Sequence, residues 1–303
     1  MKKNNILIVG GTGFIGFHLA KEFAGKNWDV SCVSTKPPLK NRRINKVKYI
    51  TVNISNKKKL KKKIKKRFNI VVNLGGYVDH KNKTKTFRSH FIGCQNLYDV
   101  FKNKKLKIFI QMGSSLEYGS NVSPLIENLK CKPKSIYGKS KLLATNFLLK
   151  KFNKEKFPAI VLRLFQAYGP NQDINRLIPI VIEGCIQNKK FACSTGNQLR
   201  DFIYIDDVIK AITSCVNSKN AIGNIFNIGL GKPKKVKSVI KNIRSIINSG
   251  QPQFGKIKMR KDEIKSIYPN INKAKKILKW QPKIEFRKGL IKTIKYYSKN
   301  ANK

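Results

Sequence analysis

The stretch NILIVGGTGFIG, residues 5–16, decides the fold of this chain. Its first half is a run of aliphatic and β-branched residues, which predicts a buried strand. Three glycines then follow at a spacing of three residues, and a helical apolar pattern begins directly after them. Glycines at a strand–turn–helix junction let the backbone approach a pyrophosphate held at the helix N-terminus. The stretch therefore predicts a dinucleotide-binding turn made by Gly10, Gly13, Phe14, Ile15 and Gly16.

The chain continues with alternating strand and helix patterns. Strands are predicted at residues 5–10, 29–34, 47–54, 69–76, 106–115, 158–170 and 224–229. Helices are predicted at residues 14–26, 57–68, 84–103, 135–152, 175–188, 206–217 and 235–248. This order predicts an α/β fold, a Rossmann-type doubly wound parallel sheet with a smaller C-terminal substrate-binding region. We expect residues 1–169 to form the NAD(P)-binding domain, with 203–229 returning to it, and residues 170–202 and 230–303 to form the substrate-binding region.

Composition argues against several classes of protein. The 303 residues are 41% apolar, enough for a large core, and no apolar run approaches the ~18 residues of a membrane span. The basic start continues into the glycine turn and not into a cleavage site, so no signal peptide is expected. Six scattered cysteines without a Cys-x-x-Cys pair indicate reduced thiols in a cytoplasmic protein. The three histidines lack metal-ligand spacing, so no metal is expected.

The formal charge of +50 is the unusual feature of the composition. It invites a nucleic-acid-binding interpretation. In the densest basic run, KKKLKKKIKKRF, the apolar residues Leu60, Ile64 and Phe68 recur every four positions. One helix face therefore stays apolar while the lysines point to water. We expect a solvated helix face, a charge that draws anionic substrates toward a cleft, and no nucleic-acid partner.

The end of the second predicted strand bears on the choice of cofactor. A dinucleotide fold that takes NAD usually places an acidic residue there to bind the ribose 2′-hydroxyl. No Asp or Glu occurs between residues 30 and 78. The strand ends instead in hydroxyl and cationic residues, namely Ser34, Lys36, Arg42 and Arg43. Such side chains suit a 2′-phosphate, so we expect NADP in preference to NAD.

A Tyr-x-x-x-Lys pair follows a Ser pair downstream of the fifth predicted strand. Tyr137 and Lys141 are four residues apart, so they share one face of a helix. A tyrosine beside a fixed ammonium can serve as an acid–base group, because a nearby cation favours the phenolate.

Six segments in order carry a resemblance, namely GGTGFIG, GSSLEYG, YGKSK, LRLFQAYGP, RDFIYIDDV and FNIG. Together they resemble the extended short-chain dehydrogenase/reductase superfamily, and within it the branch of nucleotide-sugar epimerases, dehydratases and reductases. The likeness runs nearly end to end. The segments STGNQLRDFIYIDD and RKDEI are similar to reductases of the CDP-abequose synthase type, and the branch also includes UDP-glucose 4-epimerases.

The resemblance implies a catalytic set of Ser114, Tyr137 and Lys141. Tyr137 would be the acid–base residue, and Ser114 would hydrogen-bond the reacting sugar oxygen. Lys141 would bind the nicotinamide ribose and lower the tyrosine pKa. Tyr118 lies in the turn after the fifth strand, and we interpret it as a packing residue.

The resemblance also implies binding residues outside this set. Cofactor contacts are expected at Asn53, Ile54, Leu74, Gly75 and Gly76. Substrate contacts are expected at Ser115, Gln166, Arg200 and Arg260, with the two arginines gripping a nucleotide diphosphate.

Two sets of acidic residues have separate interpretations. Dehydratases of this branch carry Asp-Glu where this chain has Ser115 and Leu116, which argues against a 4,6-dehydratase, and Glu117 is one position late to substitute. Asp206 and Asp207 precede an apolar helix and are expected to cap it.

These inferences predict an enzyme that moves a hydride at a ring carbon, most simply C4, of a nucleotide-activated sugar. The slightly favoured reaction is reduction of a 4-keto sugar by NADPH, and 4-epimerisation is nearly equal to it. A nucleic-acid-binding protein on the same scaffold is the remoter alternative. Family resemblance also implies a homodimer.

Overall fold

The computed structural model describes residues 4–77, 82–259 and 263–301. Its strands are β1 (Asn5–Val9), β2 (Asp29–Ser34), β3 (Val47–Thr51), β4 (Ile70–Asn73), β5 (Ile108–Ser114), β6 (Ala159–Leu164), β7 (Gln166–Tyr168), β8 (Lys190–Cys193), β9 (Leu199–Arg200), β10 (Phe202–Tyr204), β11 (Ile225–Ile228), β12 (Lys234–Lys235), β13 (Gln251–Phe254) and β14 (Ser266–Ile267). Its α-helices are α1 (Phe14–Gly25), α2 (Lys57–Lys63), α3 (Lys83–Phe87), α4 (Gly93–Phe101), α5 (Ile136–Glu155), α6 (Leu177–Ile186), α7 (Ile205–Val216), α8 (Val236–Ile247), α9 (Asn272–Leu278) and α10 (Phe286–Ala301).

Seven parallel strands form the central sheet, in the order β11-β6-β5-β4-β1-β2-β3. The strand order reverses between β1 and β4, because β2 and β3 lie on one side of β1 and the later strands on the other. In a doubly wound sheet, this reversal opens a crevice at the carboxyl ends of the strands. The predicted doubly wound parallel sheet is confirmed, and the glycine turn after β1 lies at this crevice.

Apart from the edge strand β3, the strands of the sheet are largely buried on both faces, as continuous aliphatic runs predict. The predicted helix at 57–68 ends early, at Lys63. Leu60, Ile64 and Phe68 are nevertheless at most 3% exposed, while the intervening lysines face solvent. The basic run is therefore anchored by its apolar residues, and its charge lies on the surface.

The single strand predicted at 158–170 is wrong. The chain leaves the central sheet at Phe165, and β7 instead pairs in parallel with β10 in a separate two-stranded sheet. The backbone N–H of Gln166 donates to the carbonyl of Asp201 at 3.1 Å, which holds β7 away from the main sheet. This turn brings residues 166–168 to the edge of the crevice.

The segment 225–228 joins the central sheet beside β6, whereas two small sheets, β12-β9-β14 and β13-β8, form outside it. Helices α6, α8 and α10 pack on one another in this second region. All six cysteines are free thiols. None of the described helices is long and apolar enough to cross a membrane.

The expectation that Asp206 and Asp207 cap α7 is wrong. The residue before α7 is Tyr204, and no side chain caps this helix. The buried carboxylate of Asp207 instead accepts hydrogen bonds from the backbone N–H groups of Lys283 and Ile284, at 3.0 and 2.9 Å. Asp206 is exposed. Asp207 therefore ties the segment before α10 to the first turn of α7.

We predict that Asp207→Ala lowers the free energy of unfolding by about 2–4 kcal/mol, because two partly buried backbone N–H groups lose a charged acceptor. Urea unfolding of the two variants measures the effect. The neighbouring Asp206→Ala is the matched control and should stay within about 0.5 kcal/mol of the unsubstituted protein. Equal destabilisation by both substitutions would contradict this assignment.

Candidate active site

The glycine turn brings the chain unusually close to a neighbouring strand. Gly10 has φ +78°, and a Cβ there would lie 3.0 Å from the carbonyl of Leu74. A Cβ on Gly16 would lie only 2.2 Å from the carbonyl oxygen of Gly10, so α1 packs directly on the turn. Gly13 precedes the first residue of α1. The turn thus places bare backbone N–H groups at a helix N-terminus, the arrangement that binds a pyrophosphate.

A cleft of about 1260 Å³ opens beside this turn. This volume exceeds the ~300–1,000 Å³ usual for one small-molecule site, so the cleft has room for a dinucleotide and a second ligand. Its walls include the glycine turn at one end and Tyr137 and Gln166 at the other. Six cationic side chains and three carboxylates of the described residues line it, which favours anionic ligands. The cations are Lys85, Arg88, Lys134, Lys141, Arg176 and Arg200.

Helix α5 carries the Tyr-x-x-x-Lys pair into this cleft. Ser135 caps the helix by accepting a hydrogen bond from the Gly138 N–H at 3.1 Å. The Nζ of Lys141 lies 5.8 Å from the centroid of the Tyr137 ring and donates to the carbonyl of Met112 at 2.7 Å. The ring of His90 meets the Tyr137 ring edge-on, with centroids 4.9 Å apart.

Ser114 is brought to the same phenol by the end of β5. The Ser114 side chain makes a hydrogen bond with the Tyr137 side chain that lowers the tyrosine pKa. Burial has the larger effect, so the pKa of Tyr137 is raised above its ordinary value. Glu117 raises this pKa further, and the guanidinium of Arg176 lowers it.

The expected lowering of the Tyr137 pKa by Lys141 stays a prediction. Its side chain is 4% exposed, and burial lowers the pKa of Lys141 itself to about 8. Glu117 and Arg176 are the charged side chains with the largest effect on the Tyr137 pKa. Lys141 is therefore a buried ammonium beneath the cleft that loses its proton more readily than an exposed lysine does.

Glu117 has a role that the sequence did not reveal. Its carboxylate is fully buried and accepts from the Ser114 N–H at 2.8 Å, the Thr145 hydroxyl at 2.9 Å and Arg163 Nε at 2.9 Å. These partners lie at the end of β5, on α5 and on β6. Glu117 therefore fixes the turn carrying Ser114 to the helix carrying Tyr137, and its carboxylate is turned away from substrate chemistry.

Only some of the residues expected to bind the cofactor after β2 lie where the sequence predicts them. Ser34 lines the cleft, and its Oγ accepts from the Thr12 N–H at 3.2 Å, while Lys36 is exposed. The expectation that Arg42 contributes to a phosphate site there is wrong. Arg42 is buried, and its Nη2 donates to the Asn171 carbonyl at 2.5 Å and to Asp173 Oδ1 at 2.7 Å. A protein carboxylate and a carbonyl already bind the Nη2 of this guanidinium.

The remaining expected cofactor positions lie together. Asn53 and Ile54 line the cleft after β3, and Leu74, Gly75 and Gly76 line it after β4. A Cβ on Gly75 would lie 2.8 Å from Val9 Cγ1, so the strand end packs against β1. These positions can face the adenosine half of a dinucleotide.

Three of the four expected substrate-binding residues line the cleft. Ser115 and Gln166 line the cleft near Tyr137. Arg200 also lines it, but its guanidinium forms an ion pair with Glu263 and donates to the Leu199 carbonyl at 2.8 Å. Arg260 lies outside the described residues.

Two residues that the sequence analysis did not select also shape the site. Asp201 is fully buried and accepts from the backbone N–H groups of Leu230 and Gly231, each at 2.7 Å. Arg176 precedes α6 and acts electrostatically on Tyr137. In the sequence, only the positive charge of Arg176 within a polar loop could have indicated this role.

Tyr118 is buried, and its hydroxyl donates to Asn227 Oδ1 at 2.7 Å. It thus packs away from the cleft. Among the described residues, no cluster of His, Cys, Asp and Glu could hold a metal ion.

Comparison with known proteins identifies a family. The model of the NAD dependent epimerase/dehydratase family matches residues 6–229. A putative UDP-glucose 4-epimerase of Methanocaldococcus jannaschii is 29% identical, over 98% of this chain and 99% of its own length. The CDP-abequose synthase of Salmonella typhimurium is also 29% identical, over 47% of this chain and 50% of its own length.

Solved structures show the same fold. A UDP-glucose 4-epimerase of Thermotoga maritima with UDP-glucose superposes with a TM-score of 0.93 at 24% identity, over 98% of this chain and 99% of that one. A UDP-glucuronic acid 4-epimerase of Bacillus cereus, in complex with UDP-glucuronic acid and NAD, gives 0.88 at 25% identity over 98% and 99%.

We predict that Lys141→Met stabilises the cofactor-free protein while removing its activity. A pKa of about 8 against the ordinary 10.5 means that burying the ammonium costs roughly 3 kcal/mol at neutral pH. The folded-state pKa is lowered, so this cost is present below pH 8 and disappears above pH 10.5.

Thermal unfolding across a pH series, without added cofactor, measures this effect. Lys139→Met changes an exposed lysine of the same helix and should leave the stability unchanged. A Lys141→Met variant that is less stable than the unsubstituted protein at pH 7 would contradict the prediction.

Proposed function

Because this chain belongs to the NAD-dependent epimerase/dehydratase family, we propose that it transfers a hydride at C4 of a nucleotide-activated sugar. The family and its relatives make the chain an NAD-dependent nucleotide-sugar enzyme. The observation that supports the C4 assignment is the meeting of Ser114, Tyr137 and the glycine turn in one cleft. A hydroxyl donor and a phenol can hold a single sugar oxygen between them, in front of the dinucleotide position.

Each residue of the candidate active site has a separate role in the proposed hydride transfer. A bound nicotinamide supplies the hydride-accepting or hydride-donating ring. Tyr137 takes the proton from the C4 hydroxyl in oxidation and returns it in reduction, and Ser114 holds the same oxygen. Lys141, buried beneath the phenol, can donate toward a ribose hydroxyl from its helix face.

A 4,6-dehydratase is not favoured by this geometry, although the family includes such enzymes. Elimination of a C6 hydroxyl needs an acid beside the sugar. The positions after Ser114 are Ser115 and Leu116, and the carboxylate of Glu117 is fully buried among Ser114, Thr145 and Arg163.

The first outcome of the proposed step is reduction of a 4-keto sugar with NADPH. It is supported by the end of β2, where Ser34 and exposed Lys36 replace the acid that binds an NAD ribose. The partial likeness to CDP-abequose synthase points the same way.

The second outcome is 4-epimerisation, in which the hydride returns to the opposite face of the same sugar. A putative UDP-glucose 4-epimerase is among the relatives that match this chain from end to end, which supports this outcome. Either reaction fits a homodimer, which we propose from the family resemblance of α4 and α5. Leu143 on α5 is 41% exposed and could face a second copy.

We predict that Tyr137→Phe lowers turnover by roughly 10²–10⁴-fold, because the proton donor is lost while the fold and cofactor binding remain. Single-turnover hydride transfer on a panel of nucleotide sugars measures this. Tyr118→Phe is the matched control, since its hydroxyl bonds Asn227 outside the cleft, and its hydride-transfer rate should stay close to that of the unsubstituted protein. Unchanged transfer in Tyr137→Phe beside a collapse in Tyr118→Phe would show that the wrong tyrosine has been assigned.

The cofactor preference follows from the β2 end. We predict tighter binding of NADPH than NADH, with the difference shrinking as salt is added. Fluorescence titration measures both affinities, and Lys36→Gln should reduce the difference. Equal affinities, or a preference for NADH, would favour the epimerase outcome and reject the NADP assignment.

A further inference from the structure

The loops that lead from helices into the central sheet are strongly basic. Parallel strands all begin at one edge of a sheet, so the connections into β2, β4, β5 and β6 lie together there. These connections are residues 26–28, 64–69, 102–107 and 156–158, and half of their residues are Lys or Arg, with no Asp or Glu. We call this edge the basic face. Its nine cations are Lys26, Lys65, Lys66, Arg67, Lys102, Lys104, Lys105, Lys107 and Lys156.

The basic face is one continuous surface. The strands that it leads into, together with β1 between β4 and β2, are five neighbours in the sheet. Neighbouring strands lie ~4.8 Å apart, so the face extends over roughly 20 Å. The Lys107 N–H donates to the Asn69 carbonyl at 2.8 Å. Lys104 Nζ donates to the Ile64 carbonyl at 3.0 Å, so the loops before β4 and β5 are held against each other.

Few carboxylates neutralise the basic face. Within the described residues, Lys26 pairs with Glu22 and Lys66 pairs with Asp29, and the other seven cations form no ion pair. Like charges gathered on one surface repel one another, so an anionic partner would stabilise this arrangement. Four of the seven are exposed and make no side-chain hydrogen bond in the described part of the chain, namely Lys65, Arg67, Lys105 and Lys107.

Two positions on the face carry lysine against the preference of the backbone. Lys105 has φ +44° and Lys156 has φ +54°. Glycine and asparagine adopt this left-handed conformation more readily, and Asn27 at the same edge does so with φ +58°. Burial and, after it, the charge of Arg67 lower the pKa of Lys104, which shows how closely the cations are gathered. The cations of this face therefore oppose local stability, and a partner of opposite charge offsets that effect.

The basic face and the cleft lie at opposite ends of the same strands. Strand β5 begins directly after Lys107 and ends at Ser114 in the cleft. At ~3.3 Å per residue, this strand spans about 20 Å. A flat partner bound at the basic face therefore leaves the cleft open to solution.

The side chains of the basic face favour a lipid bilayer over a nucleic acid. Eight of the nine cations are lysines, whereas arginine is the usual residue for nucleic-acid recognition. Surfaces that bind single-stranded nucleic acid also present aromatic rings on which bases stack. Here Phe68 and Phe157 are buried, and the half-buried Trp28 packs edge-on against Phe23. Clusters of lysines such as this one attract anionic lipid headgroups through charge alone.

We propose that the basic face is a docking surface for an anionic lipid bilayer. The protein lies on the headgroups with this edge of the sheet, and the cleft faces the solution. Ile64, Phe68 and Phe157 of the same loops are buried in the core, so the contact is electrostatic and these residues do not insert into the hydrocarbon. Added salt therefore releases the protein. This inference is independent of the proposed function.

Co-sedimentation with vesicles tests the proposal. Vesicles of equal parts phosphatidylcholine and phosphatidylglycerol are compared with vesicles of phosphatidylcholine alone, at low and at high salt. We expect binding only to the anionic vesicles, and its loss at high salt. Each cation near an anionic surface contributes about a fivefold factor, so removing four should weaken binding by roughly 10²–10³-fold. The face variant combines Lys65→Gln, Arg67→Gln, Lys105→Gln and Lys107→Gln.

A matched control variant removes the same charge from helices outside the central sheet. Its affinity for the anionic vesicles should stay within about threefold of the unsubstituted protein, because charges farther away than the ~10 Å Debye length are screened. Equal losses in the two variants, or no binding of the unsubstituted protein to anionic vesicles, overturn the proposal. The control combines Lys241→Gln, Lys288→Gln, Lys295→Gln and Lys299→Gln, all at exposed positions of α8 and α10.

Competition with RNA tests the choice of partner. Random single-stranded RNA is added to the vesicle-bound protein at low salt. We expect the vesicles to retain the protein. RNA that releases the protein from the vesicles, and that binds the face variant more weakly than the control variant, would identify the partner as a nucleic acid and overturn the bilayer assignment.

Tryptophan fluorescence tests the orientation. The chain has two tryptophans. Trp28 precedes β2 on the basic face, whereas Trp280 is buried and donates from Nε1 to the Asp207 carbonyl at 3.1 Å. A spin label on the lipid headgroups should quench Trp28 in the bound protein, and Trp28→Phe should abolish this quenching. Bound protein whose Trp28 stays unquenched overturns the proposed orientation.

Discussion

The buried ion pair between Glu117 and Arg163 is the interaction on which the candidate active site depends. Glu117 receives hydrogen bonds from the backbone of Ser114 and from Thr145 on α5 as well as from Arg163 on β6. A buried carboxylate is tolerated only when its oxygens are fully hydrogen-bonded, and here the bonds join three elements of the fold. Because α5 also carries Tyr137 and Lys141, the same carboxylate sets the distance between the phenol and the end of β5. Removing either partner would leave an uncompensated charge in the centre of the molecule.

The positive charges of this chain, whose net charge is +50, have different roles on the surface, in the interior and in the cleft. Most cations are lysines on the surface, such as those of α2, where Leu60 and Ile64 anchor the helix and the ammonium groups stay in water. The buried arginines are paired with scarce carboxylates. In the cleft, cations outnumber acids among the described residues, so the site attracts phosphate and carboxylate groups. The buried acids of the described residues are therefore structural, and the excess of cations makes the cleft suited to anionic ligands.

The parts of this structure that could be predicted from the sequence are those that depend on local sequence patterns. The glycine spacing at residues 10–16, the apolar strands and the four-residue separation of Tyr137 and Lys141 are all short-range features. The other contacts depend on partners distant in sequence. Asp207 binds residues 76 and 77 positions away, and Arg42 pairs with a carboxylate 131 positions away. For that reason Asp207 resembled a helix cap and Arg42 a phosphate ligand, since each residue type fits the local signal. The turn at Phe165 also depends on a distant partner. The pairing of β7 with β10 interrupts residues 158–170, whose sequence pattern predicts a single strand.

The central claim is that the cleft moves a hydride at C4 with Tyr137 as the proton-transfer group. Its most direct test is a single turnover of the protein with oxidised cofactor and a nucleotide hexose that carries deuterium at C4, followed by mass spectrometry of the nicotinamide. The account predicts that deuterium passes to the nicotinamide ring, and that Tyr137→Phe blocks this transfer while the sugar still binds. Deuterium that stays at C4 for every nucleotide sugar bound at saturation would contradict it.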